Sequence, residues 1–272
     1  MIDPMRWKLV PLALAALVVS ALGASAQPPD TVFLEELTWT EVRDLVRGGK
    51  TTIILPTGGT EQNGPHMALG KHNVRVKILS ERIARALGTA LVAPVVDYVP
   101  EGGISPPTGH MRFAGTISTP EDAFEKVLES AARSFRQHGF RDIVFLGDHG
   151  STQAGQKAVA ARLNREWAKG PARVHAVEEY YRLSESETRQ MLRARGYRDE
   201  ELGRHAGLAD TSLMLAIDPR LVRTDRLAQA GGAREKDGVD GDPTRASAEL
   251  GRPAVEMIVT RTADAIRKSI AR

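Results

Sequence analysis

Two periods of apolar residues organise this chain. Short apolar runs at residues 51–55 (TTIIL), 91–96 (LVAPVV), 142–146 (DIVFL) and 173–177 (RVHAV) have the length of buried strands. Between them apolar positions recur every three to four residues. Residues 36–47 read as a helix stopped by Gly48 and Gly49, and residues 74–87 align Val76, Leu79, Ile83 and Leu87 on one stripe before Gly88. Pro120 opens a helix, with Thr119 as its cap and Glu121 and Asp122 in the first turn. It runs to His138 and stops at Gly139. Further helices are predicted over 153–167, over the charged stretch 188–195, and from a loop at His205 to residue 215. A last helix covers 246–270, interrupted by Gly251 and Pro253. Residues 98–107 and 110–119 read as loops and 240–244 as a turn. Helices alternating with short buried strands predict an α/β fold, a mainly parallel sheet covered on both faces. Neither an internal repeat nor a dividing linker interrupts it.

The first 26 residues stand apart. Arg6 and Lys8 precede an apolar run at 9–22, and Ala24-Ser25-Ala26 follows as a small-residue cleavage site, the pattern of a secretory signal peptide. The run is shorter than the ~20 residues a spanning helix needs. Cleavage near Ala26 removes one acidic and two basic side chains, so the formal charge of +3 becomes +2, too weak and dispersed for a nucleic-acid partner. With no Cys, the exported domain from residue 27 onward folds without disulfides, which fits a periplasmic or secreted protein with no membrane attachment after cleavage.

The chemistry concentrates where the first strand ends. Residues 53–73 read IILPTGGTEQNGPHMALGKHN, an apolar run cut off by Pro56, Gly58 and Gly59, then Glu61, Asn63, His66 and His72 among turn residues. Carboxylate and imidazole groups in a glycine-rich loop beyond the carboxyl end of a strand point to a metal site. His149 sits in a second such turn, Gly147-Asp148-His149-Gly150, and Asp210 and His205 in a later polar segment. Loops at the carboxyl ends of parallel strands can converge on one crevice. His66 reads as structural, hydrogen-bonded beneath the loop, His110 as a pocket residue, and His138 and His175 as surface or packing residues.

The blocks LPTGGTEQNGPHMALGKHN, HMRFAGTIST, FLGDHGST, HAGLADTS and GVDGDPTRASAELGR follow in order the pattern of the creatininase family, and the chain resembles it over residues 37–266. The resemblance implies a three-layer α/β/α sandwich, a divalent-metal centre, hydrolysis of an amide C–N bond and a homo-oligomer. It also exposes departures. The family's first loop reads E-x-H-G-P-H and then an Asp. Glu61 matches, but Asn63 stands for the ligand His and His72 for the Asp that bridges two metals. His149 matches the histidine of the G-H-G-G-N turn, while Asp210 shortens the Glu of H-A-G-x-x-E-T-S and His205 is kept.

A carboxylate can bridge two ions, whereas a neutral imidazole offers one lone pair, and an amide oxygen is a poor zinc ligand. The resemblance, so altered, implies a mononuclear centre held by Glu61, His72 and His149. Asp210 serves as a fourth ligand or as the base; Asp148 could instead supply the missing carboxylate, although a carboxylate beside a turn histidine is more often solvated or a partner of a ligand. Two imidazoles and a carboxylate suit hydrolytic Zn first, with Mn or Fe as alternatives, and also compose a non-haem Fe(II) triad. Asp210 or His205 would move the proton to the leaving nitrogen of a small linear or cyclic amide. The rival expectation is a non-catalytic binding or scaffold protein whose metal site has decayed.

Overall fold

The computed structural model describes residues 29–232 and 235–271, so the expected leader and its cleavage site lie outside the described residues. Helix α1 (Trp39–Arg47) leads into strand β1 (Thr52–Thr57), which is buried at every position because it lies at the centre of a sheet covered on both sides. It pairs in parallel with β2 (Ala90–Val92) on one side and with β3 (Asp142–Gly147) on the other; β3 pairs in parallel with β4 (Arg173–Ala176). The order β2-β1-β3-β4 makes an α/β fold with a four-stranded, all-parallel sheet.

Alternation along the strands divides the core in two. Ile54, Val144 and Leu146 face helix α2 (Lys71–Leu87) and the C-terminal helix (Ala248–Ile270), packing on Val76, Leu79, Ile83, Ile258 and Ile266. Ile53, Leu55, Ile143 and Phe145 face helices α3 (Glu121–Gln137) and α4 (Thr152–Glu166), packing on Phe124, Leu128, Val159 and Leu163. Each such fully buried side chain contributes ~1.5–3 kcal/mol of transfer free energy. The helix–sheet–helix layering is the predicted one.

Two departures from the sequence expectation matter for the site. Helix α2 starts at Lys71, not Val74, so His72 belongs to a helix rather than to the loop it follows. Its N-cap, Gly70, offers no side-chain acceptor, and its first turn carries Lys71 and then Arg75 at the positive end of the helix dipole. Local rules therefore disfavour a start there. The compensation is tertiary, from the carboxylates of Asp148 and Asp210. Second, the C-terminal helix runs unbroken through Gly251 and Pro253. A Cβ on Gly251 would lie 2.1 Å from the Ser212 carbonyl oxygen, so this glycine lets two helices touch rather than ending one.

Beyond β4, residues 179–193 wind as one helical stretch whose middle, Leu183–Glu187, is a π turn. The helix Leu208–Ile217 follows, its first turn holding Asp210.

Candidate metal centre

Three strand-end segments and two helix starts converge above the carboxyl edge of the sheet. The loop after β1 brings Glu61, the turn after β3 brings Asp148 and His149, and the loop 98–110 brings Glu101 and His110. The first turn of α2 brings Lys71, His72 and Arg75, and the segment entering Leu208–Ile217 brings His205 and Asp210. Of these, Glu61, Lys71, His72, His110, Asp148, His149 and His205 line a cavity of about 210 Å³, with Tyr181, Glu185 and Arg204. Larger clefts occur beside Arg182 and Arg261 (about 510 Å³) and beside Gln62 and Phe113 (about 730 Å³), but neither gathers such groups.

Glu61, Glu101, His110 and His149 each present one donor atom within 4.8 Å of all the others. His110 Nε2 and His149 Nε2 both lie 3.0 Å from Glu61 Oε2, and His149 Nε2 lies 3.2 Å from Glu101 Oε2. Glu61 Oε2 and both Glu101 oxygens are nevertheless buried without a hydrogen-bond partner among the described residues. Buried carboxylate oxygens left unpaired are costly, and a cation at their common focus removes the cost. Donor atoms around a tetrahedral ion with bonds of 2.0–2.2 Å stand about 3.4 Å apart, so the spacing fits. Burial works to raise the Glu61 carboxyl, but His72 and His149 outweigh it and hold it well below the usual range. Burial, reinforced by Glu61, pushes Glu101 up to about 8.

The second half of the centre is paired throughout. His72 lies between carboxylates, Nε2 2.8 Å from Glu61 Oε1 and Nδ1 2.6 Å from Asp148 Oδ2, so both ring nitrogens are engaged. Asp148 also accepts from Arg75 Nε at 2.8 Å and from the Tyr180 hydroxyl at 2.6 Å. Asp210 accepts from Arg75 Nη1 at 2.7 Å, from Lys71 Nζ, and from the backbone N–H of Ala206 at 3.0 Å. Burial would raise both aspartates, yet Lys71 and Arg75 hold Asp210 well below the carboxylate range, and Arg75 and His72 hold Asp148 below it.

The sequence-predicted residues thus separate. Glu61 and His149 come together with His110 and with Glu101, which no sequence pattern singles out. His72 meets this group from the side, through Glu61 Oε1 and an edge contact with the His149 ring (centroids 5.1 Å apart), and Asp210 lies outside it with its carboxylate committed to Lys71 and Arg75. His205 faces the cavity, Nδ1 3.6 Å from Glu61 Oε1 and Nε2 2.9 Å from the Gln62 carbonyl oxygen; burial pushes it down to about 3. His66 is buried against the Thr211 hydroxyl at 2.9 Å. Asn63 spends its amide N–H groups on the carbonyls of Glu61 and Ala68, bracing the loop. Glu101 leaves one faint sequence trace: Gly59 is bare where a Cβ would come within 2.4 Å of its Oε1.

An α/β sheet with a histidine–carboxylate cluster at its carboxyl edge is the architecture of a metal-binding α/β protein with its site at the strand ends. More narrowly, the chain belongs to the creatininase family, whose description is creatinine amidohydrolase and whose profile matches residues 35–266. It is 28% identical to the creatinine amidohydrolase of Pseudomonas putida over 255 residues, covering 88% of this chain and 97% of that protein. It is 29% identical to the mycofactocin precursor peptide peptidase of Mycobacterium ulcerans over 229 residues, covering 74% and 78%. Among solved structures, a creatininase superposes with a TM-score of 0.74 at 26% identity, covering 89% of this chain and 99% of that one. A manganese creatininase (0.72, 27%, covering 89% and 100%) and a variant creatininase of Zn-Zn type (0.70, 27%, covering 89% and 99%) show that such neighbours carry these metals.

Proposed function

We propose that this protein is an exported hydrolase that cleaves the C–N bond of a small linear or cyclic amide at a single divalent ion, Zn first, with Mn or Fe as alternatives. The observation that carries the reading is the convergence of the unpaired Glu61 and Glu101 oxygens with His110 and His149. These four residues would hold the ion, in place of a set drawn from Glu61, His72, His149 and Asp210. The donor set supports one ion rather than two: Glu61, Glu101, His110 and His149 form a single cluster of candidate ligands among the described residues.

Held by Glu61, Glu101, His110 and His149, such an ion would supply Lewis-acid chemistry, making a water a nucleophile at about pH 7 and an amide carbonyl more electrophilic. The protein's own groups do the remainder. His72, gripped by Asp148, aims the Glu61 carboxylate. His205 Nε2 is held by Gln62, 2.9 Å from its carbonyl oxygen and 3.1 Å from its side-chain Nε2, so the ring is fixed with Nδ1 on the Glu61 side, placed to move a proton toward the leaving nitrogen. Asp210 holds the turn at Ala206, whose φ of +56° keeps His205 in place. The leader pattern in residues 6–26 supports export to the periplasm or beyond, and membership of the family supports a homo-oligomer.

Elemental analysis of the mature protein is expected to find about one equivalent of divalent metal, with amide hydrolysis lost to chelation and restored by Zn or Mn. Two equivalents would refute the single-ion reading. No metal at micromolar supply would establish the rival, a binding or scaffold protein with a decayed centre.

A further inference from the structure

Lys71 is an unusual residue to find inside a protein. Its side chain is 2% exposed, and burying an ammonium group costs several kcal/mol unless it is matched. Its one hydrogen-bond partner among the described residues is Asp210. That carboxylate does not depend on it alone, because Arg75 and the Ala206 N–H already donate to Asp210. Arg75, moreover, is enclosed by Asp148, Asp210 and His72 and does not line the cavity. Lys71 does line it, beside Glu61, His72, His110, His149 and His205. Its Nζ stands 3.9 Å from Glu61 Oε1, beyond hydrogen-bond reach. An ammonium group carries three N–H donors, and Asp210 takes one. A positive charge with donors to spare therefore sits at the buried wall of the cavity, whereas the other cation lining it, Arg204, is exposed and paired with Asp240.

We infer that Lys71 is a substrate-binding residue of this centre, its ammonium group holding the anionic oxygen that develops on the scissile amide and the carboxylate of the acid released. The inference rests on the reading of the centre as an amide-hydrolysing one. No bond to Lys71 forms and its protons stay on Nζ; amide and water become acid and amine, and the ammonium contributes fixed charge where negative charge appears. It also narrows the substrate. The acid half must be small enough to bring its carbonyl oxygen to a buried lysine inside about 210 Å³, so the cleaved bond belongs to a compact acyl group.

The test uses cobalt as the metal probe and acetate as the ligand probe, read from the visible absorption of the cobalt-loaded full-length mature protein at pH 7. Wild type is expected to take up one equivalent of cobalt and to shift its spectrum on titration with acetate. Lys71→Met is expected to keep the cobalt and to bind acetate on the order of tenfold more weakly, the modest end of what a nearby unit charge supplies at a protein site. Lys71→Arg should stay within about threefold of wild type. Should Lys71→Met fail to fold, Lys71→Gln, which keeps a donor toward Asp210 but no charge, is expected to show the same loss. Unchanged acetate affinity in the uncharged variants overturns the role of Lys71 alone. A wild type that takes up no cobalt overturns the metal-centre reading and this role with it.

Discussion

The two halves of the centre solve opposite electrostatic problems. Around Lys71, Arg75, Asp148 and Asp210 every carboxylate oxygen has a donor and positive charge matches negative, all of it supplied by the chain. On the other side of His72, Glu61 and Glu101 crowd together with imidazoles and leave three oxygens without a donor. The first half is complete by itself; the second is shaped for something the polypeptide does not contain. A buried ionic network and a metal site can therefore be told apart by which lone pairs remain unspent, although both are built from the same residue types.

The sharpest way to break that contrast is to remove an acid from each half. Glu61→Ala takes away the carboxylate common to His72, His110 and His149, and it is expected to abolish binding of the divalent ion, checked by isothermal titration with Zn; a retained equivalent would refute the assignment. Asp148→Ala strips a shared partner from Arg75 and His72 and leaves Asp210 alone to balance two buried cations, so a loss of ~3–5 kcal/mol in denaturant unfolding is expected, with metal bound or chelated. A loss that vanishes on chelation would show that Asp148 belongs to the metal half.

Acid probes the surroundings of both. Burial holds His66 down to about 4, below the ~6.5 of an unfolded chain, so the unfolded state takes up the proton first. The stability associated with neutral His66 is complete above pH 6.5 and lost as pH falls from 6.5 to 4. About 3 kcal/mol is at stake on the linkage relation, and His205, held down to about 3, adds in the same direction. Thermal melts of the chelated protein between pH 7 and pH 4 should show His66→Gln losing less stability than wild type over that window.

How much of this is legible in the sequence follows from how local each cause is. The strands and the glycine-stopped helices are legible because their apolar periods are properties of neighbouring residues. Glu61 and His149 are legible because both follow directly on a buried strand. Glu101 is not: it lies in a loop shaped by distant contacts, its backbone N–H held by Ser118 and its side chain admitted only by the bare Gly59. His72 reads as a loop residue because Lys71 and Arg75 make a poor helix start on local rules, and only the remote Asp148 and Asp210 make that start favourable. Gly251 and Pro253 mislead in the other direction. Pro253, sixth in the helix, gives up the N–H that would reach the Glu249 carbonyl, and the helix continues because Ala254, Val255 and Ile258 just beyond it are buried in the core; the glycine answers a neighbouring helix rather than its own.

That cationic first turn of α2 also bears on the order of assembly. A segment that repels the dipole of its own helix gains little from winding early, and becomes favourable once β3 and the helix Leu208–Ile217 have delivered their acids. The cluster of Glu61, Glu101, His110 and His149 is thus a property of the folded molecule alone, because the turn that flanks it is held by acids from two later segments of the chain.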